Sequence, residues 1–442
     1  MVASQTYSYN QIWKISYPLI IGGVAQTIIN VSDTIFLGRV SELALGASAI
    51  AGLYYVTFFM LGVGFSIGTQ ITIARFDGEQ KYSEIGMVFS HSFIFMMLMA
   101  LLIFMVMYFG SNVLLQSLVK SPAILNASIE FIRYRSFGIF AGFFVLLTRS
   151  FFSGLGFTKM VGYTTFIAAS CNILFNYVLV FGNFGFPKME IAGSGLASSM
   201  AECCAAIFAI YYTIAYGNIR KYQLFHKFQY NKLLFIELIK TSIPLMVQVF
   251  IALWSWFVFF LIVEKMGERN LAISNLTRNI YMILMLCLMG FSNATNTIVS
   301  NLIGQNRKDE LLAVLKRIVV LSFVTTLVVV LVNLIFVDYT LSIFTDNKEI
   351  IAQTFGCIYV ISGSSLFFSV AYVLLSAVSG SGNTMVTLVI EALTLFFYLL
   401  ATYLLAVKYQ ASIEMVWCTE YVYFIIMGIV SFLYLKRKIL KQ

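Results

Sequence analysis

The chain has 442 residues, a formal net charge of +9, 60% apolar residues and only 11% charged ones, against roughly 45–50% and about 25% in a soluble domain. With a mean hydropathy of +0.90, so few charges cannot cover a water-soluble protein of this size. A soluble enzyme and a disordered chain are excluded, and a polytopic membrane protein is left.

The apolar runs reach the ~20 residues that a helix needs to cross a bilayer, and they lack the alternation of a membrane barrel. Twelve helical spans are expected. In the first half they run roughly over 12–38, 44–75, 84–110, 123–154, 160–183 and 190–217. In the second half they run roughly over 233–264, 270–304, 312–337, 347–380, 384–407 and 413–435. The first run is too long for a cleavable signal peptide and ends at Arg39 without a clear cleavage site.

Loop charges give the orientation. An even number of spans puts both termini on one side, with Arg75, Lys81, Arg220, Lys221, Arg307, Lys308 and the tail Lys436, Arg437, Lys438 and Lys441. The other side holds fewer bases, among them Arg39, Lys120, Lys188, Lys265 and Lys408. Both termini are therefore expected in the cytoplasm, and the chain in the plasma membrane. The bases sit in short gaps and form no basic face, so nucleic acid is not an expected partner. Six cysteines fall inside apolar runs without a CxxC pair, and His91 and His226 lie far apart. Neither a disulfide framework nor a metal cluster is expected.

The longest polar stretch, 217–232, carries Arg220, Lys221, His226, Lys227 and Lys232 among Tyr222, Leu224, Phe225 and Phe228. It reads as a solvated cytoplasmic linker lying partly on the membrane surface. The expected plan is an N-terminal six-helix lobe over 1–217, a basic linker over 218–232 and a C-terminal six-helix lobe over 233–442. The halves resemble each other at a shift of 226 residues. Ser16 and Pro18 meet Ser242 and Pro244, and Gly64-Phe65-Ser66 meets Gly290-Phe291-Ser292. Gly78, Lys81 and Glu84 meet Gly304, Arg307 and Glu310, and Ser153-Gly154-x-Gly156-x-Thr158 meets Ser379-Gly380-x-Gly382-x-Thr384. Six helices per half is even, so the two pseudo-symmetric bundles share one orientation, an arrangement that suits alternating access. Gly62-x-Gly64-x-x-x-Gly68 lies inside a span with no strand before it, so it is a packing surface rather than a nucleotide loop.

Ionisable groups in a span are functional candidates by default. Asp33 lies in the first span, with Gln26 and Asn30 before it on the same helix face. The fifth span adds Asn172 and Asn176, one turn apart, and the sixth adds Ser198 and Glu202. By depth, Asp33, Asn172, Asn176 and Ser198 can meet in the outer half of the first bundle. Asparagine and serine often only join helices. An acid needs a reason, and Asp33 is the cation candidate, with Gln26, Asn30 and Glu202 as neighbours. A carboxylate among amide and hydroxyl oxygens suits Na⁺, and burial, which favours the neutral carboxyl, suits H⁺ equally. At the 226 shift, Asp33 meets Phe259, Asn172 meets Tyr398 and Asn176 meets Thr402, so the cluster belongs to one half only.

Other candidates carry less. Glu391 and Glu420, in the eleventh and twelfth spans, and Trp254 and Trp256, in the seventh, could line a substrate cleft. Glu130, Arg133, Arg135 and Arg149 on the fourth span read as local pairs near its ends.

At these residues the sequence resembles the multidrug and toxic compound extrusion (MATE) transporters. The resemblance rests on Pro18, Asn30-x-x-Asp33-Thr34-Ile35-Phe36-x-Gly38, Gly154-x-Gly156-x-Thr158-Lys159, Asn172-x-x-x-Asn176-Tyr177 and Ala192-Gly193-Ser194-Gly195-Leu196-Ala197-Ser198. It implies export of amphipathic or cationic drugs driven by inward Na⁺ or H⁺; a monomer is expected. No cofactor is implied beyond a bound Na⁺, held at Asp33, Asn172, Asn176 and Ser198. Some members carry further acids in the seventh and tenth helices, whereas stretches 245–262 and 366–376 here contain none. Coupling is thereby concentrated on Asp33. The alternatives are a flippase for a lipid-linked sugar or cell-wall precursor, which would want a cleft rich in Arg and Lys, and a membrane-embedded enzyme, which would want a nucleophile–base or metal constellation.

Overall fold

The computed structural model describes residues 7–117, 119–224, 230–343 and 347–438. Phe225, His226, Lys227 and Phe228 of the expected linker lie outside the described residues. Among the described residues the chain is helical throughout, as lipid requires of a backbone that must satisfy its own N–H and C=O groups. The first half comprises α1 (Tyr9–Gly38), α2 (Glu42–Gly78), α3 (Tyr82–Gln116), α4 (Pro122–Arg135), α5 (Gly138–Gly154), α6 (Lys159–Leu179), α7 (Glu190–Tyr216) and the short α8 (Ile219–Tyr222). The second comprises α9 (Lys232–Glu264), α10 (Glu268–Gly304), α11 (Leu311–Ile335), α12 (Val337–Ser342), α13 (Lys348–Gly380), α14 (Thr384–Tyr403), α15 (Ile413–Trp417) and α16 (Thr419–Lys438).

Each expected span is present within a few residues of its sequence bounds. Two are interrupted. The fourth is broken at residues 136–137 into α4 and α5, bent by 51°, and the twelfth is broken at Cys418 into α15 and α16. Ten helices are long and apolar enough to cross a membrane, or eleven with α4 and α5 as one span. The remaining span, α6, has the length, at 21 residues, but not the apolarity. Asn172 and Asn176 lower it, so the least apolar span carries two of the candidate polar groups.

Local signals set the ends. Ser41 accepts a hydrogen bond from the Ala44 N–H to open α2, and Asn347 accepts from Glu349 and Ile350 to open α13. The repeat is visible in the backbone. Gly156 and Gly382, 226 apart in sequence, both take positive φ, at 77° and 88°. Gln80 and Asn306, also 226 apart, do so at 58° and 59°. The shared Ser-Gly-x-Gly pattern therefore encodes one turn used twice.

By internal packing the chain divides into two units, Ile21–Met246, and Met1–Ile20 with Val247–Gln442. These boundaries differ from the sequence halves 1–217 and 233–442 within α1 and α9. The start of α1 packs with the second half's helices, and the start of α9 with the first half's. Close approach at glycine is the physical reason. A methyl group on Gly64 would overlap the Met246 backbone, and one on Gly290 would overlap Ile20. Gly64 and Gly290 are repeat partners, and so are Met246 and Ile20, so the same helix crossing is built twice. Pro18 and Pro244 lie inside the two crossing helices, just before these points. Gly62 and Gly68 pack in the same way, against Phe143 and Ser242, in agreement with the packing reading of that glycine run.

The described part of the 217–232 stretch is not fully solvated. Tyr222 and Leu224 are buried, and the Tyr222 ring meets Phe151 edge-on at 5.6 Å. Burial pushes the Tyr222 phenol above its ordinary value. His91, buried in α3, donates from Nδ1 to the Met87 carbonyl at 2.7 Å and accepts the Asn231 N–H at Nε2, at 3.2 Å. It holds the start of α9 and has a structural role.

Candidate functional site

Small residues bring α7 against its neighbours. A methyl on Gly193 would overlap the Leu179 carbonyl of α6, and one on Gly195 would overlap the Phe131 carbonyl of α4. This approach sets Ser198 beside Asn172. The Asn172 Nδ2 donates to Ser198 Oγ at 3.1 Å, and Ser198 Oγ–H donates to Asp33 Oδ2 at 3.3 Å. Asn176 Nδ2 donates to Asp33 Oδ1 at 2.7 Å and to the Asn172 carbonyl at 3.0 Å. Three helices thus converge on one carboxylate. Asn172 and Asn176 are fully buried, Ser198 nearly so, and Asp33 is half-buried.

The amide oxygens of Asn172 and Asn176 are buried and lack a hydrogen-bond partner. A buried polar oxygen without a partner calls for an explanation. Together with the carboxylate and the serine hydroxyl, these two oxygens make a donor set of hard ligands that a monovalent cation can use.

Gln26 and Asn30 are exposed and are not brought into this cluster. Gln26 precedes Asp33 by seven residues, which is about 10 Å along a helix axis at ~1.5 Å per residue. Sharing a face is therefore not sharing a site. Glu202 is engaged elsewhere. Arg135, the last residue of α4, grips it with Nη1–Oε2 at 2.8 Å and Nη2–Oε1 at 2.5 Å. The Arg135 guanidinium lies 3.7 Å from the centroid of the Tyr55 ring, and the Tyr55 hydroxyl reaches Glu202 at 3.4 Å. Arg135 also acts electrostatically on Asp33. The local pairing expected on the fourth span fails for Arg135, because the break after it turns its side chain toward α7. A methyl on Gly138 would overlap both Arg135 and Glu202. Arg149 donates to Thr165 Oγ1 at 3.0 Å.

In the second half the corresponding place holds aromatic rings. Phe259, the counterpart of Asp33, stacks on Tyr398, the counterpart of Asn172, at 5.8 Å and 17°. Glu391 and Glu420 are 2% and 1% exposed, so in this structure neither carboxyl lies on an open surface. Trp256 stacks on Tyr281 at 5.7 Å, and Trp254 is exposed.

The MatE family profile matches residues 18–178 and 244–407, one copy in each half. The chain is similar to the multidrug resistance protein NorM of Photobacterium profundum, with 22% identity over 82% of this chain and 78% of that protein. Similarity to NorM of Vibrio cholerae is 22% over 77% and 74%. A probable NorM of Mesorhizobium japonicum is 27% identical over 48% of this chain and 46% of its own length. Among solved structures, an outward-facing multidrug resistance MATE family transporter of the MOP superfamily matches with a TM-score of 0.91. It covers 98% of this chain and 97% of that one at 18% identity. A MOP superfamily transporter from Pyrococcus furiosus matches with the same score at 17% identity. With both halves covered by the family profile, the chain belongs to the MATE family of membrane transporters, which are not enzymes.

Proposed function

We propose that the chain is an antiporter that exports amphipathic or cationic drugs and xenobiotics across the plasma membrane by alternating access, driven by inward flow of Na⁺ or H⁺. One observation carries this reading: the Asp33 carboxylate bracketed by Asn176 and Ser198, beside the unpartnered amide oxygens of Asn172 and Asn176. The relatives named multidrug resistance proteins support the substrate class. Asp33 supplies the negative charge, Asn172 and Asn176 supply neutral oxygens, and Ser198 orients the carboxylate. An arriving ion replaces the hydrogen bonds from Asn176 and Ser198. It changes the conformational balance only so far as it binds the two states unequally. The loop charges favour cytoplasmic termini in a plasma-membrane protein.

The test is drug resistance in cells that lack their own efflux pumps. Asp33→Asn keeps the size of the side chain and can still pair with Ser198, so the protein is expected to accumulate normally and to confer no resistance. Resistance equal to the parent's, at equal protein level, would overturn the assignment.

A further inference from the structure

Two acids are sealed inside the second half. The Tyr281 hydroxyl of α10 donates to Glu420 Oε2 at 2.9 Å, and the Tyr398 hydroxyl of α14 donates to Oε1 at 3.0 Å. Glu391 of α14 accepts at Oε1 from the Tyr423 hydroxyl of α16. The rings of Tyr398 and Tyr423 lie 5.4 Å apart and join the two carboxyl groups into one cluster. Tyr372 of α13 interacts electrostatically with Glu391, and the Gln248 side chain of α9 lies beside it. Among the described residues, no lysine, arginine or histidine acts on either carboxyl group. A buried, unpaired carboxylate is costly, and such a group is neutralised instead.

The details say by what. Glu391 Oε2 and Gln248 Oε1 are both buried and both without a partner. Oε2 is thus the bare oxygen on which Glu391 can hold a proton. At Glu420 each oxygen receives one tyrosine hydroxyl. A tyrosine hydroxyl donates and accepts, so it can hold the carboxyl with or without its proton. The place also matters. Tyr398, the counterpart of Asn172, reaches from the fifth helix of its half to an acid on the sixth, as Asn172 reaches Ser198.

We propose that Glu391 and Glu420 form a proton-binding site within the second half, each carboxyl group holding one exchangeable proton. The site deepens the antiport reading by giving the cycle a second titratable centre, separate from Asp33, but its test does not depend on transport. Purified full-length protein in detergent is titrated between about pH 9 and about pH 5, in an Asp33→Asn background with and without E391Q/E420Q. The E391Q/E420Q change is expected to remove about two protons per chain from the uptake, one for each carboxyl. E391Q and E420Q singly remove about one each, and they serve as the readout if the double variant does not fold. Equal uptake with and without these substitutions would overturn the proposal. Proton release from the Asp33→Asn protein on replacing choline with Na⁺, lost in E391Q/E420Q, would also overturn it by assigning the site to a metal ion. Efflux retained in Asp33→Asn alongside the expected proton count would sink the Asp33 reading and leave this site standing.

Discussion

The Arg135–Glu202 pair offers a quantitative test of the surroundings of Asp33. Its side chains are only 12% and 20% exposed, and both guanidinium edges are used on one carboxylate. Removing Glu202 alone strands a charge in a low-dielectric place, which costs about 3–5 kcal/mol when burial is complete. Partial exposure puts Glu202→Met near the lower figure, about 3 kcal/mol, or roughly a hundredfold in the folding equilibrium. Arg135→Met is expected to cost a similar amount by stranding the acid. Replacing both by Met removes both charges and keeps volume, so the double variant should lie within about 1 kcal/mol of the parent. The signature is an interaction energy of about 5–7 kcal/mol in magnitude, the double variant's change less the two single costs, read from the apparent melting temperature in detergent. A functional signature accompanies it. Without Glu202, Arg135 still acts on Asp33 and is left as its counter-ion. Ion binding at Asp33 should weaken by about tenfold in Glu202→Met and recover in the double variant. Additive melting shifts, or ion binding indifferent to Glu202, would refute the reasoning.

Other predictions follow from the same contacts. Gly64→Ala forces a methyl into the Met246 backbone and Gly290→Ala forces one into the Ile20 side chain at repeat-equivalent crossings, so each should cost about 1–3 kcal/mol. A melting temperature unchanged in either would contradict the close packing. Asn172→Leu removes a candidate oxygen and the donor that holds Ser198, so Na⁺- or H⁺-driven efflux should require a larger ion gradient while the protein remains folded. An unaltered gradient dependence counts against its place in the site. Trp417→Phe deletes the Nε1–H bond to Ser274 Oγ at 3.1 Å and should cost about 1 kcal/mol, with efflux intact.

Much of this protein is legible from residue spacing alone, for identifiable reasons. Bilayer thickness fixes span length, so the helices declare themselves. A duplicated fold must reuse its close approaches and left-handed turns, so Gly64 with Gly290 and Gly156 with Gly382 expose the repeat. Polar groups in spans are few, so Asp33, Asn172, Asn176 and Ser198 stand out and the structure brings them together. What sequence spacing missed is tertiary. The break after Arg135 redirects a side chain that a continuous helix would pair locally. The exchange of α1 and α9 between the packing units depends on which glycine admits which backbone. Gln26 shares a face with Asp33 but lies seven residues away, and Asn30, though one turn away, stays exposed. Glu391 and Glu420 resemble cleft-lining acids in sequence until the tyrosines around them, drawn from α10, α13, α14 and α16, are located.

Asp33 is proposed to be the one carboxylate that couples ion entry to drug export. Its most direct test is ethidium transport in proteoliposomes under an imposed Na⁺ gradient, or an imposed H⁺ gradient, applied separately to the parent and to Asp33→Asn. At least one gradient should drive ethidium movement in the parent, and neither should do so in the variant. Equal gradient-driven transport by the variant would contradict it.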